Sequence, residues 1–148
     1  MSDSFQGACA CGAIQYECKA KPVVTFNCHC RDCQRFTGSA FISGMLVPAA
    51  AFALTRGEPT YYTRRGDSGF EISRGFCGVC GSPVVARLAR MPDMIAIPAA
   101  SLDDPSWHKP SVDVFTASAQ PWDYMNPNLP KFPHGPDSAN ANIERSQK

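Results

Sequence analysis

The chain has 148 residues, 44% of them hydrophobic and 18% charged, with a net charge of +1. That length suits one domain with a real core, and the near-neutral balance excludes the dense positive field of a nucleic-acid or anionic-membrane binder. No stretch approaches the roughly 18 apolar residues of a membrane span, and Met1–Gly7 shows neither a basic region nor an apolar run, so no secretory leader is expected and a cytoplasmic protein is the default.

Thirteen prolines and eleven glycines leave little room for long helices. In chain order, Ile14, Tyr16 and Cys18 alternate with Gln15, Glu17 and Lys19, the period of a half-buried strand. Cys18 is therefore read as a small buried hydrophobe and not as a ligand. Gln34–Gly38 reads as one helical turn closed by its glycine. Residues 40–47 form a nearly continuous apolar run, a buried strand. A short helical turn is expected at Pro48–Phe52, with proline at its start. Residues 52–56 and 60–64 are strand candidates separated by Gly57-Glu58-Pro59, a hairpin-like signal. Gly66–Gly69 is a turn, and Phe70–Phe76 alternates again. Further strands are expected at 83–88, 94–97 and 112–116, with a turn at 102–106. The expected architecture is all-β, built of many short antiparallel strands. Composition shifts near Pro130, so the domain is placed at residues 1–130 and a flexible tail at 131–148.

The eight cysteines are Cys9, Cys11, Cys18, Cys28, Cys30, Cys33, Cys77 and Cys80. In a reducing compartment such close spacing signals metal or redox chemistry before disulfides. Cys77-Gly-Val-Cys80-Gly81 is a zinc knuckle, in which glycine relieves crowding around the sulfurs. A structural zinc takes four ligands, and Cys9 and Cys11 are the natural complement. A thioredoxin-like redox pair is the competing reading, but no βαβ pattern surrounds it.

That leaves Cys28, Cys30 and Cys33 as a second zinc cluster, one ligand short of a tetrahedron. Either a side chain closes it, with His29, His108, His134 and Asp32 as candidates, or the fourth position is open to water or a substrate thiolate. Arg31 and Arg35 lie beside the cluster and either pair with substrate carboxylates or are solvated surface groups. Phe36, Phe41 and Trp107 either wall a pocket or belong to the core.

Gly7-x-Cys-x-Cys-Gly12, Cys28-His-Cys-x-x-Cys33 followed by Gly38-Ser-Ala-Phe41, and Phe76-Cys-x-x-Cys-Gly-Ser82 together resemble the glutathione-dependent formaldehyde-activating enzyme and centromere protein V-like family. Leu102-Asp-Asp-Pro105 and Pro121-Trp122 fit the same pattern. The resemblance implies an Mss4-like fold of several coiled antiparallel β-sheets with zinc knuckles and very little helix. It implies a structural zinc on Cys9, Cys11, Cys77 and Cys80, and a second, open zinc on Cys28, Cys30 and Cys33, which would be the catalytic residues. The implied activity is that of a carbon–sulfur lyase or synthase acting on a small thiol–aldehyde adduct, as in S-hydroxymethylglutathione synthesis, with glutathione or another small thiol as co-substrate. No nucleic-acid or membrane partner is expected. The alternative is a non-catalytic zinc module for protein interaction or for thiol or metal sensing. Asp113 stands where many members carry histidine, and Ala117 and Ala119 replace basic residues, so a different substrate is conceivable.

Overall fold

The computed structural model describes residues 3–135. Among the described residues, ten strands form two sheets. The smaller holds β1 (Phe5–Ala8), β2 (Gln15–Cys18) and β5 (Phe52–Arg56) in that order. The larger has seven strands: β3 (Val24–Cys28), β4 (Ile42–Pro48), β6 (Thr60–Arg65), β7 (Glu71–Phe76), β8 (Pro83–Leu88), β9 (Met94–Pro98) and β10 (Asp113–Val114). Their spatial order is β10-β3-β4-β9-β8-β7-β6. The one α-helix among the described residues, α1 (Arg31–Thr37), begins earlier than the glycine signal suggested and ends on Gly38 in the left-handed conformation, φ 69°.

The two faces of the larger sheet have different fates. Met45, Val47, Val85, Ile95 and Ile97 pack with Tyr16 and Cys18 of the smaller sheet, and with Ile14 just before it, into the main core. The alternation read at Ile14, Tyr16 and Cys18 is thus a core face, and Cys18 is fully buried there. The opposite phase of the same strands lines a cavity. Register carries this face across the sheet: Val114 sits beside Cys28, Cys28 beside Ile42, Leu46 beside Ala96, Ala96 beside Ala86, and Ala86 beside Arg74. Ala86 and Ala96 are small and sit mid-face, so the sheet leaves space there, whereas Gly44 lets the Phe26 ring pack closely on β4.

Two expectations are corrected. Residues 52–56 and 60–64 do not form a hairpin: β5 pairs with β2 and β6 with β7, in different sheets. At Gly57, with φ 66°, a Cβ would lie 2.2 Å from the Ala13 carbonyl oxygen, so the chain passes against the β1–β2 loop there and leaves the small sheet. Phe52 meanwhile stacks on Tyr16 at 5.3 Å, which anchors β5 to the core. The strands are also not all antiparallel, because β10 runs parallel to β3.

Past Pro130 the chain docks on β10. The Phe132 amide donates to the Asp113 carbonyl, Lys131 bridges to Asp113, and Phe132 packs beside Val112 and Val114. The remainder of the expected tail, 136–148, lies outside the described residues.

Candidate functional site

Two cysteine clusters emerge. In the first, the Sγ atoms of Cys9, Cys11, Cys77 and Cys80 all lie within 4.8 Å of one another. The Cys9–Cys11 and Cys11–Cys77 sulfur separations are 3.7 and 3.8 Å. A tetrahedral zinc with Zn–S of about 2.3 Å requires an S–S edge of about 3.8 Å, so this donor set fits the metal. Backbone geometry supports the sulfurs: the Ile14 amide donates to Cys9 Sγ at 3.2 Å and the Val79 amide to Cys77 Sγ at 3.4 Å. Ser82 joins the two knuckles, accepting from the Ala10 amide and lying 3.2 Å from Cys80 Sγ. Hydrogen bonds from Ser82 hold the Cys80 thiol down to about 5. One knuckle follows β1 and the other joins β7 to β8, so a metal here would tie the small sheet to the large one.

In the second cluster, the Sγ atoms of Cys28, Cys30 and Cys33 also lie within 4.8 Å of one another, and all three residues are buried. Cys28 ends β3, Cys30 caps the N-terminus of α1, and Cys33 lies one turn in. The Cys33 amide donates to Cys30 Sγ at 3.3 Å. Hydrogen bonds from the Cys28 and Cys33 thiols, with the Cys33 amide and the Arg74 charge, hold Cys30 down to about 3. Donating to those neighbours and burial push Cys28 well up. The Cys28 contact favours the Cys33 thiolate, but the neighbouring Cys30 thiolate and burial outweigh it and push Cys33 up to about 12. Left to themselves the three sulfurs share one negative charge, so three thiolates together need a cation among them.

None of the four fourth-ligand candidates joins this cluster among the described residues. His29 is buried and faces away: Nε2 lies 3.0 Å from Asp113 Oδ1 and Nδ1 3.3 Å from Asp123 Oδ2. Asp32 pairs with Arg64 at 3.3 Å, and His108 bonds Ser43 Oγ at 2.8 Å. His134 lines an outer concavity of about 590 Å³ together with Arg31 and Ala117. Arg31 is exposed and bonds the Gln34 side chain, and Arg35 is exposed. Of the aromatic candidates, Phe36 lines the cavity, Phe41 packs at a tilt against the His29 ring at 5.2 Å, and Trp107 packs on Phe5 at 5.3 Å against the main core.

That cavity, of about 160 Å³, lies along the second face of the large sheet, and the three cysteines are among its lining residues. Its inner walls are overwhelmingly apolar, including Phe26, Ile42, Leu46, Ile72 and Leu88. Sequence reasoning missed its buried cation. Arg74 Nη2 donates to Cys33 Sγ at 3.8 Å. The available signal was its phase: Arg74 shares the inward positions of β7 with Ile72. Also missed was the buried support beneath His29. There Asp113 accepts from Lys131 Nζ at 2.8 Å, and Gln34 Nε2 holds the His29 carbonyl at 2.8 Å. Burial raises the Asp113 carboxyl, but hydrogen bonds from Lys131, His29 and Asn27 outweigh it and keep it below the ordinary value.

The sequence profile of the glutathione-dependent formaldehyde-activating enzyme family matches residues 4–118. The chain belongs to that family. A crystal structure of a Rhodobacter sphaeroides protein has a similar fold, with a TM-score of 0.56 and 18% identity, covering 86% of this chain and 98% of that one. No curated protein sequence matches significantly. Both clusters could hold a metal ion, consistent with zinc in this family, and among the described residues no helix is long and apolar enough to cross a membrane.

Proposed function

We propose that the protein is a zinc-dependent carbon–sulfur lyase or synthase acting on a small thiol–aldehyde adduct. The observation that carries this is the three-sulfur cluster, buried, without a fourth side-chain donor among the described residues, and opening onto a cavity. Zinc held by Cys28, Cys30 and Cys33 would lower the pKa of an incoming thiol, supplying thiolate at neutral pH. Three thiolate ligands leave the site net negative, which suits thiol delivery better than activation of water. Arg74 offsets part of that charge beside Cys33. In the forward direction the thiolate sulfur bonds to the aldehyde carbon. The carbonyl π pair moves to oxygen, and oxygen takes the proton the thiol released. The reverse step regenerates thiol and aldehyde. The four-sulfur cluster of Cys9, Cys11, Cys77 and Cys80 would be structural. Eight free cysteines fit a reducing, cytoplasmic setting.

The test is exchange of the adduct. Zinc-loaded protein is mixed with a thiol and an aldehyde, and interconversion is followed by NMR saturation transfer. Acceleration over the uncatalysed rate, lost in Cys30→Ser, is the expected result. A rate equal to the uncatalysed one contradicts the reading.

A further inference from the structure

We infer that the thiol this site takes is small and apolar, with a benzylic or branched-alkyl carbon part, instead of a charged peptide thiol. The inference rests on the trio being an open thiol site, as proposed above. Three properties of the cavity carry it.

The first is size. A cavity of about 160 Å³ compares with the roughly 150 Å³ that accepts a benzene ring in a protein core. The dry space in front of the sulfurs therefore holds one ring or a branched chain, and a tripeptide would extend beyond it.

The second is lining. The space lies over Ala86 and Ala96, which are small at mid-face, while Phe26, Leu46 and Leu88 wall it. Such walls stabilise a hydrocarbon group and leave an amide's polar atoms unpaired.

The third is charge. Arg74 is the buried cation and already faces Cys33 Sγ. Arg90 lies over the Phe70 ring at 5.5 Å. Asp32, Asp67 and Glu71 line the same space; Asp32 is paired with Arg64, and the other two acids match those two arginines. Adding the thiolates makes the site hostile to a carboxylate, which would be costly to bury unpaired. A longer thiol would need to carry its charged groups past Phe115 to the outer concavity that Arg31 and His134 line.

The experiment uses the full chain loaded with cobalt, whose thiolate charge-transfer absorption reports sulfur binding without turnover. Phenylmethanethiol, 2-mercaptoethanol and glutathione are titrated separately and followed by difference absorption. Phenylmethanethiol is expected to bind about tenfold to hundredfold tighter than glutathione, the gain from burying one aromatic group. Ala96→Leu, which fills mid-face space, is expected to erase that preference. Glutathione binding as tightly as phenylmethanethiol, or tighter, overturns the apolar class while leaving the open site standing. So does a preference that survives in Ala96→Leu. If no thiol changes the spectrum, the open-site reading itself fails and takes the inference with it.

Discussion

The two cysteine clusters use the same ligand chemistry in opposite surroundings. In the outer cluster, Cys11 and Cys80 are exposed, Cys9 and Cys77 are buried, and four sulfurs complete a tetrahedron between two sheets. Its support is local: backbone amides and Ser82. In the inner cluster every cysteine is buried, the sulfurs number three, and support comes from far along the chain through Arg74 and Asp113. A site that only holds a fold needs a full ligand set and can tolerate exposure. A site that admits a ligand needs a vacant direction and dry walls, and must fix its sulfurs by other means.

The hardest way to break that contrast is at the outer cluster. A structural zinc contributes on the order of 10–16 kcal/mol in small domains, against a typical net stability of about 5–15 kcal/mol. Cys77→Ser is therefore expected to abolish the cooperative thermal transition, read by circular dichroism. The next effect lies under the inner cluster. Asp113→Asn leaves His29 and Lys131 without their shared buried carboxylate and should cost about 3 kcal/mol in urea unfolding. A cost near zero would mean that the support is incidental. Arg74→Gln should weaken zinc at the inner site by about 10- to 100-fold in chelator competition, with the outer site unchanged. The smallest effect is at His108, whose pKa burial lowers. The unfolded chain then binds the extra proton first, so stability is complete above the ordinary histidine value of about 6.5 and falls as pH drops below it. His108→Gln should flatten the melting temperature between about pH 7 and pH 5.

The cysteine spacing made both clusters legible because a metal knuckle is local: its ligands lie two or three residues apart. Period-two alternation likewise exposed β2 and β7. What stayed hidden was non-local. Nothing in residues 52–64 announces that β5 will pair with β2 and β6 with β7, since partner choice is made by Phe52 on Tyr16 and by the crowding at Gly57. Asp113 stood out only as a departure from the family pattern. Its partner His29 lies 84 positions away, and the parallel β10–β3 pairing brings the two together. Arg74 could have been noticed as a charge in the apolar phase of its strand, though phase alone does not reveal a sulfur as its partner.

The division of labour between the clusters is tested most directly by counting zinc against folding in wild-type protein and in Cys30→Ser. The wild type should hold two zincs per chain, one of them released by a mild chelator with the circular dichroism unchanged. Cys30→Ser should fold with one zinc. Loss of structure together with the first zinc, or an unfolded Cys30→Ser, would contradict the account and make the inner cluster a second staple of the fold.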